Sequence, residues 1–427
     1  MTLTLKHKGG VMINFSDEKV FGKILSPVMQ IISKTVNTLG DDDKKYKLSF
    51  LPFTVNLLYG IMSNIKSRAQ LITETKTSDI AEKLGLVVVS NSMYSEAFFR
   101  YGPELYKTIF VQLLSTLSFM SIPGIDQLGR ILLVDGSVFP AISTMGWAAY
   151  KSTANAVKLH LALELNRMIP VEFLSTEANY SEKKFLLDIV KEGITYILDR
   201  GYVSFNGFKA ILDKKAFFIV RCKGNLKYQL RQYFEVNLPA KASGLLEGVR
   251  DMKVVLKNDK NRDDKGNRIE YRLVVFSAMG ELYVLITNRL DLSTYEIIML
   301  YAYRWQVELI FRFLKRTLNS IHLLCHEPEG VQVQFYLYMI SYLLLLSFKQ
   351  ECEVVAKDEA QEEASELAEE CPANLKEERQ YACGLVSMLG QGLKKYWKIS
   401  VHWLITVRNF FLKSFTVDIA KRIVQSS

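Results

Sequence analysis

Cysteine is scarce in this chain: five residues in 427, at Cys222, Cys325, Cys352, Cys371 and Cys383. They form no CxxC pair and show no spacing to histidine that would suit zinc, which argues against a disulfide framework and a zinc finger and in favour of reduced, cytosolic thiols. A charged-then-apolar opening is also missing, since MTLTLKHKGG runs straight into a mixed polar stretch, and secretion is not expected. Nor is there a clean membrane span. VQVQFYLYMISYLLLLSF (331–348) approaches the necessary length, but Gln332, Gln334, Ser341 and Ser347 interrupt it. It reads instead as a core helix packed beneath a site, and no membrane partner is expected.

What is present is an ordinary globular balance, 49% hydrophobic and 23% charged, on a chain long enough for about two or three domains. The formal charge of +9 hides an asymmetry. Residues 351–379 hold 11 acids against 3 bases, a net of −8, which leaves +17 on everything else. A body that basic favours a polyanionic partner, nucleic acid first and an anionic membrane surface second.

Periodicity divides the chain. Residues 1–125 pattern as helices over 19–39, 50–72, 77–84 and 94–119. Ser78, Ala81 and Leu84 followed by SNSMYSEAFFRYG suit either a helix-turn-helix, its second helix starting near Ser92, or two amphipathic helices of a bundle. From Ile131 short apolar runs alternate with helical patterns. ILLV ends in Asp135; strands follow at 157–165 and 169–174; 181–192 is a helix opened by Ser181 with Glu182 in its first turn. TYILD ends in Asp199, 205–212 is a helix and AFFIV (216–220) another strand. The order predicts a mixed α/β sheet. Residues 224–281 read as a β-rich insertion, in which 251–256 and 271–276 flank the exposed loop KNDKNRDDKGNR. A buried strand at 282–286 precedes a helix capped by Ser293 or Thr294. The acidic stretch, taken as 349–380, reads as solvated or disordered, and 381–427 as C-terminal helices that carry Trp397 and Trp403.

The most informative segment is YAYRWQVELIFRFLK (301–315). At roughly 100° per residue, Tyr301, Arg304, Glu308, Arg312 and Lys315 fall within about 80° of one another on a single helix, while Val307, Leu309, Ile310, Phe311, Phe313 and Leu314 cover the remaining faces. A charged stripe on an otherwise apolar helix predicts a carboxylate facing a cleft. Asp135 and Asp199 at strand ends, with Glu308, make three carboxylates on rigid elements. Hard divalent cations prefer such oxygen donors, and two Mg²⁺ ions there, with Mn²⁺ as a substitute, suit phosphoryl displacement. Arg304 can grip a phosphate bidentately and Lys315 can act on it as a point charge. Taken singly, each residue has a plainer reading: a turn residue after a strand, or an ion pair along a helix.

These residues resemble the DDE transposases of bacterial insertion sequences, in the subgroup marked Y-(2)-R-(3)-E-(6)-K. Tyr301, Arg304, Glu308 and Lys315 match every spacing; LLVDGSVF around Asp135 and LDRGYVSF around Asp199 resemble the two aspartate segments. The likeness covers about 131–348. It implies a ribonuclease H-like catalytic core (126–348) interrupted by the insertion, with Asp135, Asp199 and Glu308 ligating the metals. It also implies that Tyr301, Arg304 and Lys315 contact the phosphates of transposon ends. Arg200 and Tyr202 either assist or pack; Trp305 is expected in the core; His160 and Lys158 share a strand face beside the site, where a structural part is expected. Thr287 and Asn288 either touch DNA or cap a turn.

The implied activity is cut-and-paste transposition: binding of terminal inverted repeats, Mg²⁺-dependent cleavage through a hairpin on the transposon end, and strand transfer to target DNA. The expected partners are double-stranded DNA, as ends and target, and a second copy of the chain in the synaptic complex; the expected location is the prokaryotic cytoplasm at the nucleoid. The rival readings are a metal-dependent nuclease without strand transfer and a DNA-binding descendant that cuts nothing.

Overall fold

The computed structural model describes residues 4–369 apart from 7–11, 15–16, 79–80, 83, 142–144, 152–153, 244, 317 and 319–321. The described chain forms two compact units, a sheet unit of residues 121–316 and a helical unit made of the residues before 121 and those from 317 onward.

The sheet unit starts with β1 (Ile131–Ala141), whose first four residues are all buried. Strand β2 (Ala149–Lys151) leads into β3 (Ala154–Glu164), which runs antiparallel to β1 from Leu132↔Glu164 to Ala141↔Asn155; β4 (Ile169–Glu177) returns antiparallel along β3. A crossover through helix α1 (Glu182–Ile189) brings β5 (Thr195–Leu198) parallel to β1, and α2 (Phe205–Asp213) brings β6 (Phe217–Arg221) parallel to β5. Ser204 caps α2, its hydroxyl accepting from the Gly207 N–H; one such cap is worth about 1 kcal/mol.

The insertion continues this sheet rather than standing apart from it. Strands β7 (Tyr228–Tyr233), β8 (Leu246–Leu256), β9 (Glu270–Ala278) and β10 (Glu281–Thr287) pair antiparallel in sequence, and β10 pairs with β6 through Leu285↔Arg221. The ten-stranded sheet has the order β2-β3-β1-β5-β6-β10-β9-β8-β7, with β4 also on β3. The run β4-β3-β1-β5-β6, antiparallel then parallel, is compatible with a ribonuclease H-like core. Local alternation announced the insertion strands, but the pairing that joins them to the core is non-local.

One apolar core spans both parts. Phe185, Leu186 and Ile189 of α1 and Phe208 and Ile211 of α2 pack on Val134, Leu198, Phe218 and Val220, and the same cluster runs on through Met252, Val254, Leu273 and Ile286. Phe208 stacks on Phe218 with ring centroids 4.5 Å apart; burying a ring of this size contributes roughly 1.5–3 kcal/mol.

The sheet unit closes on α3 (Thr294–Ala302) and α4 (Trp305–Arg316). Ser293 caps α3 with a full capping box to Glu296. The single helix expected over 301–315 is therefore two, broken at Tyr303 and Arg304. The break preserves the apolar spacing on either side, so periodicity alone does not show it. Trp305, expected in the core, is 37% exposed, with the Arg312 guanidinium 5.9 Å from its ring centroid.

The helical unit contains helices Asp17–Leu39, Asp41–Lys44, Phe50–Met62, Arg68–Thr77, Asn91–Arg100, Pro103–Thr116 and Pro328–Glu369. The helix expected over 50–72 ends at Met62, because Asn64 turns to φ 58° and Ser67 caps the next segment. The one expected over 94–119 breaks at Gly102, where Pro103 takes the first helical position of a new helix; proline lacks the N–H that a helix interior needs but suits that position. For 78–100, where a helix-turn-helix and a bundle were both expected, Tyr94, Ala97 and Phe98 of Asn91–Arg100 are buried, with Phe98 edge-on to Phe53 at 5.0 Å, which suits either reading. The first helix of that pair lies partly outside the described residues.

The apolar run 331–348 lies in the helical unit and packs against the helices Asp17–Leu39, Phe50–Met62, Asn91–Arg100 and Pro103–Thr116. The Pro328–Glu351 portion of its helix is long and apolar enough to cross a membrane by composition, but 78% of the most apolar window is buried within the protein. The acidic stretch, expected as a solvated or disordered excursion, is helical up to Glu369. The C-terminal helices expected over 381–427 lie outside the described residues.

Candidate active site

The sheet brings the two aspartates side by side. Val134 and Leu198 are direct partners in the parallel β1–β5 ladder, so Asp135 and Asp199 follow them at one level on adjacent strands, which lie about 4.8 Å apart. Asp135 is held by its neighbour, the Gly136 N–H donating to Oδ1 at 2.8 Å. Asp199 opens a short turn in which the Tyr202 N–H donates to its carbonyl at 3.0 Å.

Arg304, in the break between α3 and α4, draws the third carboxylate in. Its Nη2 donates to Glu308 Oε1 at 2.6 Å, and its Nη1 stands 3.7 Å from Asp135 Oδ2. The charge of Asp199 also acts on Arg304 and on Tyr301. Burial pushes the Asp135 carboxyl up to about 6; the Gly136 N–H and Arg304 pull it down, while Glu182 and Glu308 push it further up. Among the described residues, no three His, Cys, Asp or Glu side chains form a ready metal-holding group. The donor set nevertheless suits a hard divalent cation: all oxygen, half-buried, and neutralised in part by the chain's own Arg304.

The other candidates fall around this centre. Tyr301 is buried, its carbonyl accepts from the Arg304 N–H at 3.0 Å, and its ring lies edge-on to Tyr283 at 6.4 Å; burial raises its phenol above the usual range. Lys315 Nζ donates to Ser137 Oγ and Val138 O, both at 2.8 Å, tying α4 to β1 just past Asp135; burial lowers its ammonium. Arg200 is exposed and 3.9 Å from Glu281, whereas the Tyr202 side chain is buried. His160 is fully buried, its Nε2 3.1 Å from Thr176 Oγ1. Thr287 donates its hydroxyl to Phe218 O, and the Asn288 amide bridges Phe218 N and Ala216 O, so this pair fixes the end of β6.

Glu182 was not among the candidate site residues. Read from sequence only as a first-turn acid, it reaches the strand ends and pairs with Lys158 at 2.6 Å. The available signal was a glycine after Asp135 and another soon after Asp199, which leaves room for a side chain to approach from outside.

Two aspartates thus stand at adjacent strand ends, and one of them shares an arginine with a helix-borne glutamate. Residues 126–344 match the family model described as the transposase DDE domain. The chain belongs to that family, whose members cut and transfer DNA and generally use divalent metal ions. It is 30% identical over 220 residues to a protein named as transposase y4zB of Sinorhizobium fredii, covering 51% of this chain and 61% of that protein. It is 26% identical over 200 residues to the probable transposase for insertion sequence element IS5377 of Geobacillus stearothermophilus (47% and 51%). To a transposase named for element IS4SA of Synechocystis it is 24% identical over 225 residues (49% and 59%). The chain thus spans between about half and three fifths of these relatives' lengths.

Proposed function

We propose that this chain is an insertion-sequence transposase of the Y-(2)-R-(3)-E-(6)-K subgroup that binds terminal inverted repeats, cleaves at the transposon ends and joins the 3′-ends to target DNA. The observation that carries the reading is the pairing of Asp135 and Glu308 with Arg304, with Asp199 at the same level on the strand beside Asp135, inside a segment that matches the transposase DDE domain.

Asp135, Asp199 and Glu308 would hold magnesium, or manganese in its place. Bound there, the metal supplies charge stabilisation to the attacking and leaving oxygens of an in-line displacement. The chain's own groups do the rest. Arg304 neutralises the carboxylates before DNA arrives and is free to turn a bidentate fork toward a phosphate. Tyr301 accepts from the Arg304 N–H across the helix break, and Lys315, in the last turn of α4, presents a cation beside β1. Asp135, kept in a half-buried notch, is poised to gain from any cation that replaces water. Passage through a hairpin on the transposon end and pairing of two copies in the synaptic complex belong to the same reading.

Incubation of the full chain with a duplex carrying the element's end, Mg²⁺ and a target plasmid tests it. Joined product is expected. Cleavage without joining indicates a nuclease, and binding without cleavage a non-catalytic descendant; either outcome overturns the proposal.

A further inference from the structure

Both aspartates are followed closely by a glycine, Gly136 directly after Asp135 and Gly201 two residues after Asp199. One outside side chain fills the space over both. A Cβ on Gly136 would stand 3.2 Å from Glu182 Oε1 and 3.0 Å from Lys158 Cε; a Cβ on Gly201 would stand 3.1 Å from Glu182 Oε2. The Glu182 carboxylate therefore spans the strand ends, with one oxygen over each aspartate's chain segment. It comes from the first turn of α1, where exposed backbone N–H groups favour an anion, and Lys158 of β3 meets it at 2.6 Å.

A second, independent feature points to a ligand at this place. The Tyr202 hydroxyl is buried and makes no hydrogen bond among the described residues. The charges of Glu182, Asp135 and Asp199 all act on it. A buried hydroxyl without a partner costs about 1–3 kcal/mol, and a hydrated cation beside it would give it an oxygen to meet. Glu182 also acts on Asp135 more strongly than Glu308 does.

We propose that Glu182 is a fourth carboxylate of the active site, which joins Asp135 and Asp199 in holding a divalent cation and exchanges Lys158 for the metal as its counter-charge. The inference rests on the metal-dependent reading above. As a structural ion pair alone, Lys158–Glu182 would contribute little, since burying charges offsets most of their attraction; its position over both aspartates is what a cation site requires.

Mn²⁺ titration of the full chain without DNA, followed by the electron paramagnetic resonance signal of the free ion, tests this. Glu182→Gln is expected to weaken Mn²⁺ binding by about tenfold to a hundredfold. Lys158→Met, which removes the competing cation, is expected to tighten it by about threefold or more. Gly201→Ala, which displaces the carboxylate without changing charge, is expected to weaken it and covers the case in which Glu182→Gln fails to fold. Unchanged affinity in the folded variants overturns the inference and leaves the proposed function standing. Absence of Mn²⁺ binding by the unsubstituted chain overturns both.

Discussion

Arg304 sits 2.6 Å from Glu308 and 3.7 Å from Asp135, a cation of the chain itself standing between two carboxylates carried by a helix and a strand. Glu308 is therefore held by an electrostatic contact. Replacing it with glutamine removes a metal-side charge but leaves α4 and its apolar face in place. Glu308→Gln is expected to abolish cleavage while end binding stays within about tenfold of the unsubstituted chain, because most phosphate contacts remain. Gel-shift and cleavage assays on the same duplex check this, and retained cutting would sink the assigned role.

The positive excess outside the acidic stretch should show in the salt response. If phosphates dominate the interface, the logarithm of the binding constant should fall steeply and linearly with the logarithm of salt concentration. Fluorescence anisotropy of a labelled end duplex across a salt series measures the slope, and a flat response would count against a phosphate-dominated interface.

Arg272 and Asp251 form a buried pair that ties the insertion to the start of α3. Arg272 donates to both carboxylate oxygens at 2.7–3.1 Å, Thr294 donates to Oδ2 at 2.7 Å, and a further guanidinium N–H donates to Leu292 O. Removing one partner strands the other charge in the interior. Asp251→Ala is expected to destabilise the sheet unit by about 3–5 kcal/mol, read as a lower urea midpoint; a loss under about 1 kcal/mol would show that water reaches the arginine.

His160 should govern an acid limb of stability. Burial, with help from Lys158, pushes its imidazole from 6.5 down to about 4. The unfolded chain takes up the proton near 6.5 and the folded chain only near 4. Stability is therefore full above 6.5 and drains as pH falls toward 4, by about 3 kcal/mol in all. His160→Gln, which can still meet Thr176, should flatten the limb in denaturation curves between pH 4 and 7; an unchanged slope would assign the limb to other groups.

The parts of the site that were legible in the sequence are those set by short-range order. ILLV and YIL are apolar runs that end in Asp135 and Asp199, and a buried parallel pair needs such runs and then a polar exit. The spacing of Arg304, Glu308 and Lys315 survives because all three lie in or beside α4. Tyr301 does not share that helix: the turn at Tyr303 and Arg304 costs no apolar position, so a period of 3.6 reads straight through it. Glu182 was hidden for a different reason. It is some 50 residues from Asp135 in sequence, and only the register of β1 against β5 brings the space over Gly136 and Gly201 under one side chain. The fate of the run 331–348 was equally non-local, since an apolar helix does not announce which unit it will join.

That β10 is shared between core and insertion has a consequence for the chain's solubility. Excising β7, β8 and β9 would leave β10 with a row of bare N–H and C=O groups from Leu282 to Thr287, where Ser277 to Arg272 of β9 now sit. An apolar edge of that kind is a template for self-association. The insertion is thus also the guard that keeps the catalytic sheet from stacking edge to edge with its own copies.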